Sequence, residues 1–437
     1  VENAQNKSPT SHPFNLREEM SATKKNIIQE LFSKKMLICL LLGFSSGLPL
    51  LLTGGTLKLW LAEAKVDITT IGYFSWVGMM YSLKFIWSPL LDSLSIGSFG
   101  RRRSWIVLMQ IGLVASIFML GQLDPAKSIS TMAFVALLVA FFSATQDIAI
   151  DAFRREYLDE IELGLGSTMT MYGYRIAMLI SGGLAVAMAD HFSWQIVYLI
   201  MALLMFLGII ATFYAPEPPP FEIKDKSFYN SVIGPFKEFI SRDGSLVILL
   251  FVLLFKLGDA LSGSMLNPFY KEMGFEKTDI GLIAKTFGLA SSLVGLFIGG
   301  VVIYYIGILR SLWIFGILQA LSTGSFALIT YVGPERWALA LTVIFEDVSS
   351  GMGSAAFVAY MASITNRQYT ATQYAILSSI ATLGRNFFSG FSGHMVKALG
   401  WGNFFYTCAL IALPGLIFLV IMTKKYPNKE ATILKQV

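Results

Sequence analysis

Inside the apolar stretches of this chain lie acids, lysines and arginines, at positions where an ionised side chain is costly to keep. The clearest stretch reads Phe141, Phe142, Ser143, Ala144, Thr145, Gln146, Asp147, Ile148, Ala149, Ile150, Asp151. A lone carboxylate in hydrocarbon costs roughly 3 kcal/mol on insertion scales. It survives where it faces water or a partner, so these residues imply a hydrated interior. Asp147 and Asp151 are four residues apart and share a helix face. Two carboxylates one turn apart resist ionising together, which suits a proton relay. Asp151 also neighbours Arg154 and Arg155, and an ion pair that fixes the bundle is the simpler reading for it. Asp147 is the first candidate for proton coupling.

The cations supply the complementary chemistry. Arg175 follows Tyr172 and Tyr174, and Arg385 precedes Asn386. A guanidinium stays charged at any reachable pH and binds a carboxylate through a bidentate fork. The two arginines are therefore candidate clamps for an anionic substrate, or partners for an interior acid such as Asp147. Lys256 and Asp259, three apart, can neutralise each other within one helix. Lys285 has no acid nearby in sequence, and Glu346 or Asp347 is its candidate partner. Those two acids sit about 100° apart around a helix, so one partner cannot face both. Lys84 is a further cation without a local acid. Asp259, Glu346 and Asp347 join Asp147 and Asp151 as candidate proton carriers. Arg175, Arg385, Lys256, Lys285 and Lys84 are candidate ligands for substrate carboxylates. Trp87, Tyr172, Tyr174 and Phe269 offer faces for sugar rings, although aromatics at such positions commonly serve packing. Gln146, Asn267 and Gln373 offer hydrogen bonds to hydroxyls or amides.

Membrane-spanning helices must hold these groups. Hydrophobic residues make up 55% of the 437 and charged residues 14%, against about a quarter charged in a soluble domain. The apolar runs recur from Lys35 to about Met422 and leave no room for a separate soluble domain. They give twelve helices, at 35–62, 68–91, 103–122, 129–153, 164–189 and 193–214, then 244–270, 277–304, 309–331, 336–362, 371–396 and 401–423. Each is long enough for a core about 30 Å thick. The run Ala215-Pro216-Glu217-Pro218-Pro219-Pro220 stops the sixth, because proline cannot continue a helix. The expected division is an N-terminal tail (1–34), a six-helix half (35–214), a polar linker (215–243), a second six-helix half (244–423) and a C-terminal tail (424–437). No cleavable signal peptide is evident. Lysines and arginines number 21 on the side of the tails and linker against six on the other, which places both termini in the cytoplasm. That bias accounts for the net charge of +5, so no nucleic-acid partner is called for. Two cysteines and three scattered histidines give no disulfide framework and no metal cluster. No nucleophile motif stands at either interface, so an enzyme is not expected. The tails are too short for the output domain of a sensor.

The halves echo each other. Val66–Gly72 matches Phe275–Gly281 in outline, Gln110 answers Gln319 at an offset of 209, and Arg175 and Gly183 answer Arg385 and Gly393 at 210. Two parallel six-helix repeats are the plan of major facilitator transporters, with the substrate site between the halves. After the second helix come Pro89, Leu90, Leu91, Asp92 and then Gly100, Arg101, Arg102, Arg103. This resembles the loop signature of that superfamily, with a longer gap between the Asp and the Gly. By resemblance Asp92 and Arg103 latch one side of the carrier, with Arg101, Arg102 and Arg154 as further gating residues.

Longer matches resemble the AmpG-type muropeptide permeases. They are LGFSSGLPL (42–50), IGYFSWVG (71–78), KFIWSPLLD (84–92), FGRRRSW (99–105), SATQDIAIDAF (143–153), GYRIAMLISGGLA (173–185), APEP (215–218), FKLGDA (255–260) and TATQYAILSS (370–379). The resemblance implies an all-α membrane protein of the major facilitator fold, with twelve transmembrane helices in two six-helix halves. It implies import of N-acetylglucosaminyl-1,6-anhydro-N-acetylmuramyl peptides across a bacterial inner membrane by alternating access, for peptidoglycan recycling. The proton gradient is the driving force and no cofactor is needed. An indirect part in β-lactamase induction follows. Acetyl-CoA transporters share some of these features, so another anionic substrate, or drug export, is the alternative. Some family members carry extra C-terminal hydrophobic segments. Ending after the twelfth, this sequence is expected to be a minimal unit, working as a monomer in the bilayer.

Overall fold

A computed structural model describes residues 27–96, 99–218, 228–276 and 279–425, and among them there is no strand. Twelve spans follow one another. α1 joins Lys34–Leu52 to Gly55–Glu63. α2 covers 68–93 in short pieces, among them the 3-10 turns Phe74–Gly78 and Lys84–Ile86. α3 is Arg101–Gln122, α4 is Ile129–Tyr157, α5 is Leu163–Ala189 with a π-helical segment at Leu179–Leu184, and α6 is Trp194–Tyr214. α7 is Ser245–Glu272, α8 begins in the π-helical turns Ile280–Phe287 and continues as Gly288–Ile306, α9 is Ile308–Val332 and α10 is Arg336–Ser363. α11 is Thr370–Ser389 and resumes through 392–399. Gly400, at φ 73°, then turns the chain into α12 at 401–425.

Nine of these spans cross a membrane on length and apolar composition alone. The others are α2, α10 and α11. α2 is broken into pieces, while α10 and α11 carry Glu346, Asp347 and Arg385 among serines, threonines and glycines. The polar content that weakens their apolar signal is what equips them to line a wet interior. α7 is also interrupted: Lys256 leaves the helical region, at φ −101° and ψ 9°, and places its charge at a break.

Small residues set the tightest packing. A Cβ at Gly43 of α1 would lie 2.0 Å from the Thr170 carbonyl oxygen, and one at Gly173 of α5 would lie 1.9 Å from that of Leu40. In the second half a comparably tight seam is α8 against α10, where a Cβ at Gly295 would lie 2.2 Å from the Val348 carbonyl oxygen. α3 and α6 pack around α1 and α4, and α9 and α12 pack around α7 and α10. The outer faces of these four helices expose Phe118, Phe213, Leu328 and Ile417, the surface that hydrocarbon covers.

The halves meet along two seams. From Met79 onward α2 lies against α11, and Leu163–Met178 of α5 lies against α8 and α10. Both seams run toward the end of the bundle where α1 begins and α12 finishes, here termed the tail end. At the opposite end Tyr73 and Trp76 of α2 and Phe387 and Phe391 after the middle of α11 stand exposed. Within the linker, Phe228–Ile240 is a helix, with Phe239 buried. Phe239 and the half-buried Phe236 turn toward the bundle, while Ile233 and Ile240 of the same helix stay exposed.

Candidate functional site

Charge collects at mid-bundle in the first half. The Ser46 hydroxyl of α1 donates to the Asp147 carboxylate of α4. Lys84 of α2 is 8% exposed, and its charge acts on Asp147. The hydroxyls of Tyr81 and Tyr174 lie close to the same carboxylate. Arg175 and Arg385, one from each half, both act on the Tyr174 hydroxyl. Arg175 is half-buried and Arg385 exposed. Among the described residues, neither arginine has a carboxylate within the 4.0 Å of an ion pair. Two unpaired guanidinium groups therefore flank a phenol and a carboxylate at the level where the halves face each other. Such a place can receive a carboxylate-bearing ligand by forked hydrogen bonds.

In the second half the charges are tied together. Lys256 Nζ lies 3.3 Å from Asp259 Oδ2 and donates to the Ser350 carbonyl oxygen at 3.2 Å. Glu346 accepts from the Ser322 hydroxyl at 2.7 Å and lies one helical turn before Ser350, the residue that bonds Asp259. Asp347 points toward α8, where a Cβ at Gly288 would lie 2.5 Å from its Oδ2.

The tail end is locked by bonds that cross between halves. Asp92 accepts from the Ala371 amide at 3.2 Å, the Thr372 amide at 2.8 Å and the Thr372 hydroxyl at 2.7 Å. Those amides open α11, so a first-half carboxylate caps a second-half helix at its positive end. Arg102, fully buried, holds Asp92 at 2.7 Å and Glu156 at 2.6 Å. Arg154 pairs with Asp151 at 2.9 Å and donates to the Tyr374 hydroxyl at 3.1 Å. Arg155 reaches the Ser363 carbonyl oxygen at 3.4 Å, and the Tyr172 hydroxyl donates to that of Leu293. Gly100, at φ 112°, completes the corner: a Cβ there would strike Glu217 at 2.3 Å, and Glu217 caps α3 through the amides of Arg102 and Arg103.

The sequence profile of the Major Facilitator Superfamily matches residues 37–345 and 248–436. The chain belongs to the major facilitator superfamily. Within it the protein is of the AmpG type. It is 40% identical over 386 residues to the Anhydromuropeptide permease of Escherichia coli (strain K12), covering 88% of this chain and 79% of that one. It is 36% identical over 395 residues to the "Putative transporter AmpG 4" of Rickettsia conorii (strain ATCC VR-613 / Malish 7), covering 88% and 95%. Solved structures share the fold at low identity. The superfamily transporter FucP in its outward conformation gives a TM-score of 0.67 at 14% identity, covering 89% of this chain and 98% of that one. The proton:xylose symporter XylE gives 0.66 at 12%, covering 90% and 94%. This major facilitator protein is a multi-pass membrane transporter, not an enzyme.

The residues singled out from sequence fall into three groups in the transporter. Asp147, Lys84, Tyr174, Arg175 and Arg385 come together at mid-bundle. Trp87 is nearby on α2, half-buried, with its indole N–H on Thr145 at 3.0 Å. Asn267 is exposed toward the far end of α7. A second group serves structure in this conformation. The latch partner of Asp92 is Arg102 rather than Arg103: helical rotation turns Arg102 into the core, and Arg103 donates to the carbonyls of Thr212 and Phe213, each at 3.1 Å. Arg101 pairs with Glu156 at 3.0 Å. Gln146 is buried, with its carbonyl on the Ser45 hydroxyl at 3.2 Å. Gln373 stands at the tail end, where it accepts from Arg242 at 3.0 Å and donates to Glu238. Phe269 is fully buried against Phe405. Lys256 is committed to Asp259, and Tyr172 to α8. The Lys285 side chain forms the third group and lies outside the described residues. Sequence reasoning missed Ser46, Glu156, Glu217, Glu238 and Arg242 as partners. Glu217 lay within the APEP motif, but a capping role needs the fold to bring α3 to it.

Proposed function

We propose that this transporter imports anhydro-muropeptides across the bacterial inner membrane, with both termini in the cytoplasm, by exchanging opening at one end of the bundle for opening at the other. The observation that carries the substrate reading is the 40% identity with the Anhydromuropeptide permease over most of both chains. The chemistry agrees with it. A muropeptide has sugar rings and peptide carboxylates, and the unpaired Arg175 and Arg385 offer one fork from each half. The lysine and arginine bias toward the tails and linker supports the orientation. On that reading the locked tail end faces the cytoplasm and the far end awaits substrate from outside.

The proton gradient is the proposed driving force, with Asp147 as a carrier. Ionised Asp147 attracts Lys84 through space; protonated, it leaves that cation to the ligand and changes the charge of the loaded site by one. The test is uptake of labelled anhydro-muropeptide into proteoliposomes with and without an imposed pH gradient. The expected result is accumulation only with the gradient, and its loss in Asp147→Asn. Uptake that ignores the gradient would remove coupling. Uptake of a nucleotide thioester instead of the muropeptide would replace the substrate.

A further inference from the structure

We propose that Glu346 and Asp259 share one proton, carried by Glu346, and that this buried pair is a second exchange site that loads and empties as the transporter turns over. The inference rests on the transport reading above, but the pair itself is a matter of geometry. Lys256, Asp259 and Glu346 stand in a row. Lys256 and the Ser350 hydroxyl both donate to Asp259 Oδ2 at 3.3 Å. Ser350, which bonds Asp259, lies one helical turn after Glu346 on α10, so the two carboxyl groups sit side by side. Two carboxylates so placed resist ionising together, which leaves a proton on one of them. Among the described groups charge balance gives the same count: one lysine faces these two acids, and a buried net negative charge is expensive.

The donors decide which acid holds the proton. Asp259 receives an ammonium and a hydroxyl, both of which favour the ionised form. Glu346 is 6% exposed and receives hydroxyls only, from Ser322 at 2.7 Å and Thr323 at 3.3 Å. Access runs the other way. The Asp259 and Lys256 side chains keep 24% and 17% of their surface open, so water reaches Asp259 first and Glu346 lies behind it. A proton leaving Glu346 passes to Asp259 and then to water; no other bond changes.

Gln319 of α9 is 3% exposed, and neither atom of its carboxamide has a partner. A Cβ at Gly353 would meet Gln319 Oε1 at 2.7 Å and Lys256 Nζ at 3.6 Å, so the amide and the ammonium face one small space. A buried amide of this kind calls for a polar partner. Asp347 and Tyr270 and, from α12, Cys408 are the other titratable groups around Glu346. Lys256 is the cation among the described groups.

The experiment uses the whole protein in lipid. Infrared spectra at neutral pH are expected to show a carboxylic-acid C=O band that Glu346→Gln removes, Asp259→Asn shifts and Asp147→Asn leaves in place. In proteoliposomes, Glu346→Gln is expected to lower gradient-driven accumulation of labelled anhydro-muropeptide about tenfold or more while exchange without a gradient persists. An unchanged acid band in Glu346→Gln, or wild-type accumulation, overturns the proposal. If the wild-type protein exchanges no muropeptide, the substrate reading fails, and the infrared result alone decides whether the shared proton exists.

Discussion

The two halves of the transporter place matching residues at matching depths and then use them differently. Gln110 of α3 donates to Ser45 at 3.3 Å and accepts from Thr212 at 3.1 Å, whereas its counterpart Gln319 has both amide atoms unpartnered. The glycine seam joins α1 to α5 in one half and α8 to α10 in the other. Asp147 keeps one hydroxyl and a cation at a distance; Glu346 lies against a second acid that a lysine already holds. Across the interface Asp92, Arg154, Arg155, Thr168 and Tyr172 extend from the first half, and Thr372 and Tyr374 meet two of them with hydroxyls from the second. A repeat fixes how deep a residue sits. Its partners come from neighbouring helices, and those have diverged.

The sharpest way to break this comparison is at the crossing bonds. Asp92→Ala leaves Arg102 buried without one of its two acids and leaves the start of α11 uncapped. Removing one member of such a buried set costs about 3–5 kcal/mol, and here the cost falls on the tail-closed form. The expected outcome is a shift toward tail-end opening, read as faster labelling of cysteines placed near Thr372. Unchanged labelling would mean that the two seams are held by packing alone.

The glycine seams come next. Gly173→Ala and Gly295→Ala push a methyl group against backbone, not against a side chain that can swing away, and should each destabilise by about 1–3 kcal/mol. Gly183 and Gly393 occupy matched positions with nothing within 4 Å of an added Cβ. Alanine there should change stability by about 1 kcal/mol or less. Thermal unfolding in detergent separates the two pairs, and equal effects would erase the distinction.

Arg175→Lys and Arg385→Lys keep the charge and lose the fork. Each is expected to raise the KM for muropeptide about tenfold, near 1.4 kcal/mol, with the pH dependence of uptake unchanged. The smallest expected effect lies in the linker helix. Burial disfavours the Glu238 charge, yet Arg242, Gln373 and Asn366 outweigh it and hold this carboxyl below the usual range. Its stabilising share is therefore complete above the ordinary carboxylate pKa and is lost as pH falls through the lowered one. Glu238→Gln should lower the unfolding temperature slightly at neutral pH, and the gap should close on acidification.

The helical plan was legible because bilayer thickness dictates length and because proline and charge punctuate it. The interrupted α2 and α7 were not, since a break of one or two residues leaves apolar content unchanged. At the site, Asp147, Arg175 and Arg385 stood out because ionised groups in hydrocarbon need a reason. Choosing Arg102 over Arg103 required the rotation of α3, which three consecutive arginines cannot reveal. Gln373 read as a ligand because its type fits sugars, but the linker helix claims it, and that helix hid inside a polar run.

The central claim is that the two ends open in turn, and paired spin labels test it most directly. Cys39 and Cys408 are buried, so labels can be directed to introduced cysteines. One pair at Tyr73 and Phe387 spans the far end, and another at Ile161 and Arg310 spans the tail end; all four positions are exposed. Adding anhydro-muropeptide is predicted to shift the far-end pair toward shorter distances and the tail-end pair toward longer ones. Distances that stay fixed, or that move in the same direction at both ends, would contradict the account.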